Sequence, residues 1–274
     1  MTILVTGATG NVGRHVVHQL VQSGQQVRAL TRNPAKAKEV LPKGVEVVYG
    51  DLAAPETLTS VMAGVKGIYL MTSSGGGTPL QTGDEIIDLA MKAGVERVAI
   101  LWSGVKGTVE QAAEASDLEW THIQPYCEFM SNTLSWAESI RTASVVQEPF
   151  ANYLNAIVHE ADVAAVAVAA LTKTGHAGKT YTLTGPEALT PRDKVNVIAA
   201  ALKRDIRFDE LTKQQARERL KQTGVSNEMI DYVHNWHENL PKEAFTVVPT
   251  VKDVTGQDAR TFAQWVAEHL RVFS

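Results

Sequence analysis

Three closely spaced glycines, Gly7, Gly10 and Gly13, constrain this chain more than any other feature. They sit in Gly7-Ala8-Thr9-Gly10-Asn11-Val12-Gly13, between a β-branched run at 3–6 that reads as a strand and an amphipathic pattern at 12–23 that reads as a helix. A chain that passes from strand to helix in so few residues must turn tightly, and glycine takes the backbone conformations such a turn needs. The bare backbone can also approach a bulky anion that a side chain would hold off, and the last glycine lets the helix lie close to the sheet. The free N–H groups and the positive end of the helix then face that anion. The pattern is weak alone. After the first strand of an alternating series it points to the pyrophosphate of a dinucleotide.

The alternating series is present. Strand-like runs at 27–31, 45–49, 68–71, 98–102 and 120–124 are separated by helical patterns from Pro34 and at 56–62, 84–93 and 109–115. Such alternation predicts right-handed βαβ units and a doubly wound parallel sheet with helices on both faces, an α/β fold. The strands are apolar throughout, as burial on both sides requires. After Pro125 the rhythm lapses: helical patterns fall at 129–140, 162–171, 192–202, 214–222 and 261–269, with one strand at 179–183. We therefore expect a dinucleotide-binding core over 1–125 and a mixed segment over 126–274 that carries a smaller lobe and partly returns to the core.

The rest of the composition mostly excludes. A net charge of −4 without a basic block argues against nucleic acid as a partner. One cysteine, Cys127, allows no intrachain disulfide. The start of the chain lacks the features of a signal peptide, and the longest apolar run, 161–171, is too short for a bilayer and carries Asp162. A cytoplasmic protein, monomer or homodimer, acting on a small molecule and not on a membrane is the expectation.

The end of the second strand bears on the choice of dinucleotide. An acidic residue there would bind a ribose 2′-hydroxyl, whereas arginine accommodates a 2′-phosphate. The sequence reads Thr31-Arg32-Asn33-Pro34, with no acid, and Lys36 follows. NADP(H) is thus preferred, with NAD(H) as the second candidate. The expected cofactor contacts are Gly7, Thr9, Gly10, Asn11, Val12 and Gly13 on the first loop, Thr31 and Arg32 after the second strand, Asp51 and Leu52 after the third, and Thr72 and Ser73 after the fourth. For Asp51 a turn or capping role is an equal alternative.

These segments resemble the NmrA-like group of atypical short-chain dehydrogenases/reductases. The resemblance is carried by the glycine loop, Thr31-Arg32-Asn33-Pro34, Gly50-Asp51-Leu52, Leu118-Glu119-Trp120-Thr121-His122-Ile123-Gln124-Pro125, His159-Glu160-Ala161-Asp162-Val163-Ala164 and Tyr181-Thr182-Leu183-Thr184-Gly185-Pro186-Glu187. It thins after about residue 205. It implies a Rossmann domain with NADP(H) at the first loop and a smaller C-terminal substrate lobe. It leaves the reaction open, because the group holds quinone and carbonyl reductases and also a dinucleotide-binding regulator.

One departure matters. Most short-chain dehydrogenases use Tyr-x-x-x-Lys to move a proton. Here Tyr49, Tyr69, Tyr126, Tyr153, Tyr181 and Tyr232 are followed at that spacing by Ala53, Ser73, Met130, Ile157, Gly185 and Trp236. Hydride transfer by positioning remains, with Ser103 as a hydrogen-bond donor to a carbonyl oxygen and Lys106 as a cation near the reacting centre. Trp102, Tyr126, Phe129, Met130 and His159 are the expected lining of an apolar or aromatic substrate pocket. No metal is expected: His234-x-x-His237 reads as a packed or solvated helix face, and Cys127 as a buried small hydrophobe. Two functions follow. One is an NADP(H)-dependent oxidoreductase of a small quinone, enone or other conjugated carbonyl compound that works without the Tyr-x-x-x-Lys pair. The alternative is a non-catalytic, redox-sensing regulator that binds NADP(H) or NADP+.

Overall fold

A computed structural model describes residues 1–73, 78–102 and 106–274. Among them, seven strands form one parallel sheet: β1 (Thr2–Val5), β2 (Gln26–Thr31), β3 (Glu46–Tyr49), β4 (Val65–Met71), β5 (Arg97–Leu101), β6 (Glu119–Pro125) and, later in the chain, β8 (Lys179–Leu183). Their order across the sheet is β3-β2-β1-β4-β5-β6-β8. Register is set by pairs such as Ile3 with Val27, Leu4 with Ile68, and Val98 with Trp120. The sheet is buried on both faces, which is why Ile3, Leu4 and Val5 are all apolar and wholly inaccessible.

Two compact units divide the chain. The first comprises Met1–Pro125, Glu160–Leu183 and Thr250–Gln257 and contains the whole seven-stranded sheet. In it, α1 (Gly13–Gln22) packs against α6 (Glu160–Thr172), and Gln19 Nε2 donates to the Ala161 carbonyl at 2.8 Å. The long α6 is an alanine-valine helix buried nearly all round, which suits a position between sheet and helix. The helices α3 (Gly83–Lys92) and α4 (Thr108–Ala115) also pack together, over a core of Leu4, Leu58, Ile68, Ile86, Ile100 and Val109. The short α2 (Pro34–Val40) follows β2, and α10 (Thr250–Thr255) lies against α6.

The second unit comprises Tyr126–His159, Thr184–Pro249 and Asp258–Ser274. It holds α5 (Ala137–Ala143), α7 (Pro191–Leu202), α8 (Lys213–Gln222), α9 (Asn227–Glu238), α11 (Phe262–Phe273) and a parallel pair, β7 (Val145–Glu148) with β9 (Arg207–Glu210). Its core gathers Met130, Ile140, Val146, Ile198, Phe262 and Trp265. No helix among the described residues is long and apolar enough to cross a membrane.

Several elements differ from the sequence reading. The helical pattern at 56–62 is a 3-10 turn, Pro55–Leu58, followed by further turns. The pattern at 129–140 splits into a 3-10 segment, Met130–Trp136, and the short α5. Hydroxyls explain the second case: Thr133 Oγ1 donates to the Met130 carbonyl and Ser135 Oγ to the Asn132 carbonyl, both at 2.8 Å and both at i−3. The pair β7–β9 and the helix α10 were not foreseen, and α9 was foreseen only as a helix face around His234 and His237. Each strand of the pair is only four residues long, too short to show alternation, and α9 buries only Ile230 although Met229, Tyr232, Val233 and Trp236 recur at helical spacing.

The contact between α3 and α4 is unusually close at Gly83. A Cβ there would lie 2.3 Å from both the Thr108 carbonyl carbon and the Val109 nitrogen. Gly83→Ala should therefore destabilise the protein by about 2 kcal/mol, although alanine is by itself the better helix former by about 1 kcal/mol. Urea unfolding measures this, and an unchanged or higher midpoint would contradict the close approach.

Candidate dinucleotide site

The strand order creates the site. From β1 the chain builds outward through β2 and β3, then crosses to the other side of β1 to begin β4. The connections leaving β1 and β4 therefore diverge, and a crevice opens beyond the strand ends. Two bonds hold its base together: Thr6 N donates to the Tyr69 carbonyl at 3.0 Å, and Met71 N donates to Thr6 Oγ1 at 2.9 Å. A cleft of about 360 Å³ lies there, between the glycine loop and the turns that follow β2, β3 and β4.

Each glycine of the loop meets a separate demand. Gly7 has φ +57°, and a Cβ on it would fall 2.0 Å from Met71 Sδ. Gly10 N donates back to the Gly7 carbonyl at 2.9 Å, which closes the turn. A Cβ on Gly13 would lie 2.1 Å from the Gly7 oxygen, so helix and loop can touch only as bare backbone. Ala8 and Val12 are buried beneath the loop, whereas Thr9, Gly10 and Asn11 are exposed. The first turn of α1 contains no acidic residue, and no side chain caps it. The positive end of that helix is thus left for an external anion. This cradle fits a pyrophosphate.

The other wall is built by the turns after β2 and β3. Thr31, Arg32, Asn33, Gly50, Asp51 and Leu52 line the cleft together with Leu30. Asn33 N donates to Thr31 Oγ1 at 3.0 Å, and Asn33 Oδ1 caps α2 by accepting from Lys36 N at 3.2 Å. The backbone on either side of Arg32 is thereby fixed, while its exposed guanidinium has no ion-pair partner among the described residues. At Gly50 a Cβ would come within 2.5 Å of Leu30 Cδ1, so this turn is also glycine by close approach. Asp51 Oδ1 accepts from Ala53 N at 3.0 Å, a local turn that uses one of its two oxygens. Ser73 lines the cleft, but Thr72 is buried, and its hydroxyl donates to the Leu101 carbonyl at 3.4 Å.

The two catalytic candidates fare differently. Ser103 lies outside the described residues. Lys106 is ion-paired with Glu114, whose carboxyl also receives His122 Nε2 at 3.1 Å. The Lys106 bond, opposed by partial burial, holds the Glu114 carboxyl below the usual range. His122 is packed near the rings of Trp102 and Trp120, at 5.3 and 4.8 Å, and burial pushes its pKa down. Lys106, half exposed, thus stands at the end of a polar chain that runs through Glu114 to the buried His122.

Of the substrate candidates, Tyr126 and Phe129 are half-buried, while Met130 is wholly enclosed in the core of its unit. His159 is also buried, 3.3 Å from the Glu268 carboxylate, and Trp102 is partly buried next to His122. Cys127 is buried, and burial pushes its thiol up to about 12.

The sequence reading missed a polar hub in the second unit. Glu128 Oε2 accepts from Lys194 Nζ at 3.1 Å, and Glu128 Oε1 accepts from Tyr153 Oη at 2.8 Å and from His237 Nε2 at 3.3 Å. Its members are too far apart in the chain for any spacing rule, and the only visible hint was the histidine pair on α9. Burial alone would raise the Glu128 carboxyl, but the Lys194 charge, His237 and Tyr153 outweigh it and bring it down to about 2. Because the folded value lies below the unfolded one, this stabilisation is present above about pH 4.5 and is lost as pH falls toward 2. Glu128→Gln should cost about 3 kcal/mol at neutral pH and flatten the acid limb of the stability curve. A variant with wild-type stability and an unchanged acid limb in chemical denaturation would contradict this role.

Comparison with known proteins agrees with this geometry. The NmrA-like family model matches residues 1–122. A (4-alkanoyl-5-oxo-2,5-dihydrofuran-3-yl)methyl phosphate reductase of Streptomyces griseus is 38% identical, with 99% of each chain covered. An NAD(P)H azoreductase of Xenophilus azovorans is 32% identical, again over 99% of each. The chain belongs to the NmrA-like family. Its fold is the Rossmann fold of NAD(P)-binding oxidoreductases: the Escherichia coli NADPH-dependent quinone oxidoreductase, solved with NADPH, superimposes with a TM-score of 0.82 at 25% identity, covering 98% of this chain and 99% of that one.

Proposed function

We propose that this chain is an NADP(H)-dependent oxidoreductase that reduces a small conjugated carbonyl compound, a quinone or an enone. The observation that carries the cofactor choice is Arg32, a cleft-lining guanidinium with no ion-pair partner among the described residues, set after a strand β2 that ends without an acidic residue to claim a ribose hydroxyl. Leu30 and Leu52 supply apolar surface for the adenine, and the Gly7–Gly13 cradle takes the pyrophosphate. The relatives support a reductase acting on electron-poor conjugated systems. The one at 38% identity is named for a ring bearing an oxo and an alkanoyl group, another reduces azo compounds, and a third reduces quinones.

The bound nicotinamide supplies the hydride. The chain then has to hold the acceptor in line and tolerate negative charge on its oxygen. Ser103 is the proposed donor to that oxygen. Tyr126 and Phe129 are the proposed apolar contacts. With no Tyr-x-x-x-Lys pair and with Lys106 bound to Glu114, solvent supplies the balancing proton, which restricts good substrates to those whose reduced anion is already stabilised. Quinones and enones meet that condition, and simple ketones do not.

The test is NADPH consumption across a panel of quinones, enones and simple ketones, with dinucleotide titrations of Arg32→Ala alongside. Turnover confined to the conjugated members is expected, with NADPH affinity lowered roughly 10- to 100-fold in Arg32→Ala and NADH affinity little changed. Tight NADPH binding without turnover of any member would favour the redox-sensing regulator that the absent catalytic pair also suggests. Equal losses for both dinucleotides would remove Arg32 from the choice of cofactor.

A further inference from the structure

The second unit holds a half-open cavity of about 150 Å³ that hydride transfer does not require. Three aromatic residues, Trp136, Phe150 and Tyr153, line it, together with the carboxylates of Glu128 and Glu148 and the cation of Lys194. The two carboxylates are not equivalent. Glu128 has three donors and a buried lysine as counter-charge. For Glu148 the described residues supply one side-chain hydrogen bond, from Trp136 Nε1 to Oε1 at 2.6 Å, and no ion pair. Burial holds its carboxyl above the ordinary range, against the Trp136 hydrogen bond and the charges of Arg219 and His237, and a cation in the cavity would draw it further back.

The aromatic walls favour that same cation. Lys194 Nζ already lies 5.5 Å from the centroid of Tyr153, and Lys213 Nζ lies 5.9 Å from that of Phe150, so both rings act as cation acceptors. The indole of Trp136, the strongest acceptor of the three types, has no such partner among the described residues. Phe150 is held there at backbone cost: its φ is +57°, rare for a bulky residue. Ala151 N fixes the turn by donating to Glu210 Oε1 at 3.1 Å, and the Phe150 ring stacks on His237 at 5.4 Å. Strain of this kind gathers at ligand clamps.

We propose that this cavity binds an organic ammonium group, with Glu148 as its counter-charge and Trp136, Phe150 and Tyr153 as its walls. An anion would meet Glu148 and find Lys194 already paired. A hard metal ion would lack the several oxygen ligands it needs. A neutral apolar group would leave Glu148 with the Trp136 hydrogen bond and the influence of Arg219 and His237 alone. An alkylammonium head satisfies both the carboxylate and the rings. It arrives either on the molecule being reduced, in which case the site deepens the reductase reading, or on a separate effector.

Calorimetric titration with benzyltrimethylammonium and with its uncharged carbon isostere, neopentylbenzene, tests the site on the intact protein. The cation should bind at least roughly tenfold more tightly than the isostere, and Glu148→Gln should erase that preference while keeping the acceptor for Trp136 and the wild-type affinity for NADPH. Trp136→Phe should weaken the cation alone. Absence of cation binding, equal binding of cation and isostere, or a preference that survives Glu148→Gln would overturn the proposal. These readouts need no turnover, so they stand apart from the reductase reading. The source of the group is resolved by two enones with matched tails, one ending in trimethylammonium and one in tert-butyl. A lower KM for the charged enone, lost in Glu148→Gln, assigns the cavity to the substrate. Equal KM values, with benzyltrimethylammonium binding undisturbed by either enone, assign it to an effector.

Discussion

The approach of Gly13 to the Gly7 carbonyl is the constraint on which the first unit depends. Backbone meets backbone there at a distance that leaves no room for a methyl group. That contact brings α1 down onto the loop, aims its positive end along the crevice, and fixes where β1 can stop. Gly10, bonded to the same carbonyl, then completes a turn that presents exposed backbone to the cleft. The crevice itself follows from topology, because β1 lies between β2 and β4 and the chain leaves those edges in opposite directions. A loop of bare backbone placed at a switch point is a device for pyrophosphate. The other wall carries Arg32, anchored only through its backbone neighbours, and on the proposed reading this is the residue that selects between dinucleotides.

The second unit is organised differently. Its core is apolar, but one carboxylate ties three of its segments together. Glu128 gathers the loop of Tyr153, the helix α7 through Lys194 and the helix α9 through His237. Such a hub holds only while every partner stays in place, since a buried carboxylate or lysine left alone is far costlier than an apolar residue at the same position. The same arrangement leaves Glu148, across the cavity, with a single donor. Of the two carboxylates that line the cavity, one is thus fully engaged in structure and the other holds a single side-chain donor.

The sheet and the glycine cradle were legible because each rests on local rules: alternating period, apolar strands, and glycines at the strand-to-helix junction. The six strands up to Pro125 and the return strand near residue 179 come from such patterns. The strands β7 and β9 escaped notice because they are too short to show alternation. The helix α9, read only as a face around its two histidines, is fixed by His237 reaching Glu128, more than a hundred residues away in the chain. That Arg32 and Leu52 line the cleft follows from their positions after strands. The pairing of Lys106 with Glu114 and of Thr72 with the Leu101 carbonyl could not be read from position, because each depends on which neighbour the fold brings within reach. Met130 looked like a pocket residue because it follows β6, but an apolar side chain beside a strand end serves a core as readily as a ligand.

The central claim is that this chain moves hydride directly from NADPH to a conjugated acceptor without a tyrosine-lysine proton relay. The most direct measurement is isotopic: single turnover of an enone with NADPH deuterated at one face of C4, with the product analysed by mass spectrometry and NMR. Deuterium on the β-carbon from one of the two labelled faces only, with the α-proton drawn from solvent, is the predicted result. A reduced product without cofactor-derived deuterium from either face, or loss of the label to solvent, would contradict the account.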